Sequence, residues 1–280
     1  MPDHLHLPGR EPPPGFDAGL VARVLECALA TGERVHAIAG LQGAGKSTLA
    51  AQLVAQARRR GLRAHALSID DFYRGPRERQ RLGREVHPLL ATRGPPGTHD
   101  VELACETLER LAGGLTTRVP RFDKLTGRRM PPSRWPRVQA ADLVVFEGWC
   151  LKVPPQQATE LKVAINPLER DEDPHGVWRC YCNAQLRDRY PALWSRLPRL
   201  LYLRGPDFGV VPGWRWQQEQ ALQARSPART GMTQAQVERF VQLFERVSRQ
   251  AMDTLPQIAD ATITLAPDRS PTGCSQHGAR

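Results

Sequence analysis

A three-layer α/β/α fold, with a five-stranded, mainly parallel sheet between two layers of helices, is what this sequence predicts. Three observations carry the prediction. Short apolar runs recur at 34–40 (RVHAIAG), 63–70 (RAHALSID), 142–148 (DLVVFEG), 198–205 (PRLLYLRG) and 259–267 (ADATITLAP). Helical segments separate them, the pattern of a parallel sheet covered on both faces. A glycine-rich turn leaves the first run and opens directly into a helix.

The elements follow in order. Residues 1–15 are proline-rich and predict a disordered arm. Leu20, Val21, Val24, Leu25, Ala28 and Leu29 then fall on one face of a helix. The first strand follows, and KSTLAAQLVAQARRRG predicts a helix ended by Gly61. The other four apolar runs supply the remaining strands. Two stretches stand outside the alternation, 72–137 and 166–232, and excursions of that length in an α/β domain usually carry a binding site or a lid. PDRSPTGCSQHGAR (267–280) reads as a disordered tail, leaving one domain over 16–266.

Bulk properties narrow the function. No apolar run approaches the roughly 20 residues that span a bilayer. The start MPDHLHLPGREPPPG lacks the apolar stretch of a signal peptide, so a cytoplasmic protein with no membrane partner is expected. The net charge is +10, yet only 4 of the 39 basic residues are lysine. The arginines are scattered and not interleaved with aromatics, so a nucleic-acid partner is not expected. The six cysteines form no C-x-x-C pair, and His175 with Cys180 and Cys182 fits none of the common zinc spacings.

Residues 40–48, GLQGAGKST, match the phosphate-binding pattern Gly40-x-x-x-x-Gly45-Lys46-Ser47 in full. Backbone N–H groups from Gly40, Gln42, Gly43, Ala44, Gly45, Lys46, Ser47 and Thr48 would converge on the phosphates at the positive end of a helix. Lys46 would reach the β- and γ-phosphates, and the Ser47 hydroxyl would ligate Mg²⁺. The glycine spacing differs from the dinucleotide pattern, which disfavours NAD. A strand-borne D-x-x-G and an N-K-x-D are both missing, which disfavours a GTPase switch. Kinases and ATP-driven machines remain, both of which use ATP.

Two carboxylate stations sit at predicted strand ends, the edge where ligands bind in open α/β sheets. SIDDFY places Asp70 and Asp71 after the second strand, where an acid can take a proton from an attacking hydroxyl. The third strand delivers Glu147, a second anchor for Mg²⁺. Gly148 would keep the backbone open beside the phosphates. Between the stations, RGPPGTHD (93–100) and VPRFDKLTGRR (119–129) carry Arg93, His99, Asp100, Asp123, Lys124, Arg128 and Arg129. Short loops with both signs of charge suit a small, polar, anionic acceptor.

Taken together, GxxGxGKST, SIDDFY, RGPPGTHD, PRFDK, FEGW, WRWQQE and GMTQAQVERFV resemble plant-type D-glycerate 3-kinases and their bacterial and fungal relatives over about residues 35–270. The wider clan includes uridine kinase, phosphoribulokinase and bacterial pantothenate kinase. The segment ERDEDPHGVWRCYCNAQLRDRY (169–190) departs from the plant pattern. The resemblance implies that Asp70 is the catalytic base, that Asp71 supports it, and that Asp100 binds an acceptor hydroxyl. It implies an acceptor-pocket loop at Phe122, Asp123 and Lys124. It also implies a lid whose best-matched phosphate-closing arginine is Arg215, with Arg225 and Arg229 weaker matches. The expected reaction is phosphoryl transfer from Mg²⁺·ATP to a small hydroxyl acceptor, D-glycerate first. Pantothenate, a sugar phosphate or a nucleoside stacked on Tyr73 and Trp149 are the enzymatic alternatives. An ATP-binding regulatory protein is the alternative of another class.

Overall fold

The structure, a computed structural model, describes residues 15–124, 126–225 and 231–276; the expected arm at 1–14, the last four residues of the tail and Arg229 lie outside the described residues, as does the Arg225 side chain. The strands form where the apolar runs predict them. They are β1 (Val35–Gly40), β2 (Ala64–Ser68), β3 (Leu143–Gly148), β4 (Arg199–Arg204) and β5 (Ala261–Leu265), all parallel to their neighbours. A sixth strand, β6 (Pro271–Gln276), runs antiparallel on the edge, giving the order β6-β5-β4-β1-β3-β2.

β6 corrects the expected disorder of 267–280 over six of its residues. PTGCSQ has no apolar alternation and is exposed throughout, so its order comes from ladder hydrogen bonds to β5, which a burial pattern cannot reveal. The turn before it reaches far into the molecule. Arg269 donates to the Gly43 carbonyl at 2.8 Å and lies over the Trp214 ring.

Side chains alternate across the sheet. Val35, Ala37 and Ala39 of β1 with Val144 and Phe146 of β3 join one core, while Ile38, Leu143 and Val145 join the other. α1 (Ala18–Ala30) and α2 (Lys46–Arg59) cover the second core, α2 through Leu49, Ala50, Leu53, Val54 and Ala57. That i, i+3, i+4 spacing makes the helix, and Gly61, at φ +81°, lies just beyond its end.

The first excursion contains α3 (Pro76–Glu85), α4 (Val101–Ala112) and two small antiparallel pairings, Thr117–Arg118 with Arg137–Val138 and Phe122–Asp123 with Arg128–Arg129. After β3 come α5 (Pro167–Glu172), α6 (Val177–Asp188) and α7 (Pro191–Trp194), then β4 and α8 (Val210–Arg225). α9 (Gln234–Ile258) packs on both α5 and α8. None of the described helices is long and apolar enough to cross a membrane.

β1 is central, and the chain leaves it toward β2 on one side and reaches β4 on the other. The loop after β1 therefore opens at the topological switch point, the crevice where α/β sheets bind ligands. Register does the rest: Glu147 pairs with both Ile38 and Ser68, which sets it between the phosphate loop and the residues following β2.

Candidate active site

The loop at 40–48 turns on glycines held in the left-handed region, Gly43 at φ +82° and Gly45, the residue that caps α2, at φ +90°. A β-carbon on Gly43 would come to 2.6 Å from the Trp214 β-carbon, so α8 presses directly on the loop. Phe16 backs the loop from the other side, its backbone tied twice to Gln52 at 3.0 and 2.8 Å. Lys46 is buried and donates to the Leu41 carbonyl at 2.9 Å. Burial lowers its pKa, while the carboxylates of Glu147 and Asp70 act in the opposite direction. Both predicted stations thus lie within charge range of one ammonium.

Ser47 and Glu147 meet: the Ser47 hydroxyl donates to Glu147 at 2.8 Å. Glu147 is buried and has no ion-pair partner among the described residues. Gly148 serves packing more than openness, since a β-carbon there would lie 2.7 Å from Ile69 and 3.0 Å from Leu151.

Asp70 follows β2 in a short 3₁₀ turn, Ile69–Phe72, and is the hub of a polar cluster. The Tyr73 hydroxyl donates to it at 3.0 Å and the Lys124 ammonium at 2.7 Å. Burial opposes its charge, but Lys124, His99 and Tyr73 together outweigh burial and hold the carboxyl well below the usual carboxylate range. Lys124 is raised in return, chiefly by Asp70, with burial and the nearby Arg215 charge opposing. The same effect puts the Arg215 charge within reach of Lys124. Arg215 projects from α8, contacts Gln218 at 3.2 Å, and lies 3.8 Å from Glu219.

Other candidates are engaged by the protein itself. Asp71 accepts from Arg121 at 2.9 Å and from the Phe122 amide at 3.0 Å, latching the 122–129 hairpin over the site. Desolvation raises its pKa and Arg121 only partly offsets that. Asp100 caps α4 through the Leu103 amide and pairs with Arg129 at 2.8 Å. Asp123 accepts from Thr126 at 2.7 Å. Tyr73 is buried between His99, stacked 4.4 Å away, and the edge of Phe122 at 5.2 Å. Trp149 is buried against Phe244. Neither ring has a free face, so the aromatic slot expected for a nucleoside base does not form.

Arg93 keeps its predicted place beside the site, its guanidinium 5.6 Å from the centre of the Phe122 ring. Arg79 of α3 was not among the sequence candidates, yet it is 6% exposed and lies 5.8 Å from the same ring. Its spacing could have revealed it, because Leu82 and Val86, three and seven positions on, also pack toward the core.

His99 adds a pH dependence. Burial pushes its imidazole down to about 4, with the Asp70 charge opposing and Arg74 assisting. It shares a 2.7 Å hydrogen bond with the Tyr190 hydroxyl and stacks on Tyr73. Its folded value lies below the ordinary 6.5, so the unfolded chain binds more protons between the two. The stability contributed by a neutral His99 is complete above pH 6.5 and is lost as pH falls toward 4, by roughly 3 kcal/mol at about 1.4 kcal/mol per unit. Thermal unfolding between pH 7.5 and 4.5 should show a shallower decline for His99→Asn than for wild type; parallel profiles would rule this group out.

Comparison with known proteins gives the family. No family model matches the chain. The kinase mug58 of Schizosaccharomyces pombe, itself uncharacterized, is 32% identical over 216 residues, covering 73% of this chain and 76% of its own. The chloroplastic D-glycerate 3-kinase of Arabidopsis thaliana is 30% identical over 240 residues, 81% of this chain and about half, 49%, of the plant protein. Among solved structures, D-glycerate 3-kinase from Cryptococcus neoformans superposes with a TM-score of 0.75 over 93% of this chain and 97% of that one, at 24% identity. The chain belongs to the family of P-loop kinases that includes mug58 and plant D-glycerate 3-kinase, and it is an ATP-dependent kinase.

Proposed function

We propose that this chain transfers the γ-phosphoryl group of Mg²⁺-bound ATP to the terminal hydroxyl of D-glycerate, giving 3-phosphoglycerate. The observation that carries the reading is the Asp70 cluster beside Ser47, Lys46 and Glu147 at the carboxyl edge of the sheet. D-glycerate is the acceptor named for the plant and Cryptococcus relatives. The buried Tyr73 and Trp149 count against a nucleoside.

The Ser47 hydroxyl and the Glu147 carboxylate are hard oxygen donors already 2.8 Å apart, which suits Mg²⁺ completed by phosphate and water oxygens. Bound there, the ion would draw the phosphates together and offset their charge. This chain's residues supply the rest. Loop amides hold the phosphates, and Lys46 exchanges the Leu41 carbonyl for phosphate oxygen. Asp70 orients the acceptor hydroxyl and accepts its proton as the new P–O bond forms. A carboxyl held at low pKa is a weak base, which suits a loose transition state in which the proton leaves late. Arg215 adds positive charge from the lid side.

Coupled ADP release, measured with D-glycerate, pantothenate, ribulose 5-phosphate, uridine or no acceptor, tests this directly. The expected result is near silence without acceptor and the fastest release with D-glycerate. Equal hydrolysis without any acceptor would point instead to a regulatory ATPase, and preference for another compound would replace glycerate.

A further inference from the structure

Two guanidiniums converge on one side of the Asp70 cluster, and neither is neutralised. Arg79 comes from α3 and Arg93 from the loop before α4, and both lie over the Phe122 ring, at 5.8 and 5.6 Å. Among the described residues neither forms an ion pair. Arg79 is 6% exposed; one of its terminal nitrogens donates to the Gly127 carbonyl at 2.8 Å, while its Nε is buried with no hydrogen-bond partner.

Burying an arginine without an anion is costly, and the ring quadrupole returns only part of that cost. Among the described residues, the other two buried arginines each have one. Arg179 pairs with Asp173 and Arg246 with Glu169, both within 3 Å. Arg79 is therefore the exception among the described buried arginines. The pair also sits beside the reacting group. Phe122 packs its edge on Tyr73, whose hydroxyl bonds Asp70, and the charge of Arg93 is felt at that phenol. Gly127, which receives Arg79, lies at the turn of the same hairpin that delivers Lys124.

We propose that Arg79 and Arg93, converging on Phe122, form the pocket for the acceptor's carboxylate, which restricts the acceptor to short hydroxy acids. A guanidinium matches a carboxylate with paired, charge-assisted hydrogen bonds. Held there, a three-carbon acid would present its far hydroxyl toward Asp70 across the width of Tyr73. This inference rests on the hydroxyl-acceptor reading above and specifies the part of the substrate that is not phosphorylated.

Steady-state kinetics on the full chain test it, with the KM for D-glycerate and for ATP measured in wild type, Arg93→Gln, Arg93→Lys and Arg79→Lys. Losing a hydrogen-bonded charge should raise the D-glycerate KM by about 10- to 100-fold in Arg93→Gln, with the ATP KM unchanged and partial rescue in Arg93→Lys. Arg93 is only half-buried, so its variants report on the pocket even if Arg79→Lys fails to fold. An unchanged D-glycerate KM in the Arg93 variants overturns the pocket and leaves glycerate as the acceptor. So does an ATP KM that rises in step, which would mark a collapsed hairpin. If wild type ignores D-glycerate but uses another hydroxy acid with the same dependence on Arg93, the pocket stands and only glycerate falls. Turnover confined to neutral alcohols or nucleosides overturns both.

Discussion

Asp70→Asn should lower kcat by about 10²–10⁴-fold while ATP affinity stays nearly intact. The substitution keeps the shape of the side chain and its ability to accept from Tyr73, at 3.0 Å, but removes the charge that the proposed mechanism uses to orient and deprotonate the acceptor. Lys124 loses its 2.7 Å partner; its side chain is 60% exposed, so it rehydrates at little cost and the fold should be unaffected. In the proposed reaction the ATP side is held by a separate set of groups, the loop amides, Lys46 and Ser47. A stopped-flow or quench measurement of the transfer step with ATP binding by calorimetry separates the two halves. Near-normal turnover in Asp70→Asn would remove Asp70 from the chemistry. The acid limb of the kcat/KM profile for the free enzyme should also lie below the ordinary carboxylate range, because Lys124, His99 and Tyr73 hold the Asp70 carboxyl down against the effect of its burial.

The second large effect is on stability, at the junction of α5 with α9. Arg246 → Ala should destabilise the protein by about 3–5 kcal/mol, because it strands a buried carboxylate. Arg246 holds Glu169 through two hydrogen bonds, at 2.7 and 2.6 Å. It also donates to Gln156 at 3.2 Å and to the carbonyls of Glu160 and Val163 at 3.1 and 2.7 Å. One side chain thus ties the irregular segment after β3 to the longest helix, with Glu169 fully buried and Arg246 7% exposed. For a chain of this size the melting temperature should fall by roughly 10 °C. Replacing both partners, as Arg246→Met with Glu169→Leu, should recover most of the loss, since no charge is then left unpaired. A midpoint unmoved by Arg246→Ala would mean that water reaches Glu169 freely.

Much of the molecule was readable along the chain because the physics involved is local. Apolar runs must be buried, and five of them became the five parallel strands. The phosphate loop is a backbone device, so its glycines and Lys46 identify it without knowledge of any distant residue. Asp70 and Glu147 were legible because each lies at or just beyond the carboxyl end of a strand, and strand ends converge on one edge wherever the strands are parallel. Ser47 meeting Glu147 at 2.8 Å follows from that convergence.

What escaped is set by partners far apart in sequence. Asp71 and Asp70 are adjacent and chemically identical. Only the fold gives one Lys124 and Tyr73, and the other Arg121 and the Phe122 amide, some fifty positions away. His99, Asp100 and Asp123 read alike as polar loop residues, yet one is buried on Tyr190, one caps a helix beside Arg129, and one closes a turn. β6 left no signal because an edge strand is held by hydrogen bonds, and its backbone carries no pattern of its own. Arg79 was one arginine among many in α3, and burial without a counter-ion is what sets it apart. The sequence by itself determined the five parallel strands, the phosphate loop and the two carboxylates at strand ends, since each depends on residues near one another in the chain. The tertiary structure alone decided which charges are paired and which are buried without a partner, because pairing and burial depend on what the fold brings alongside.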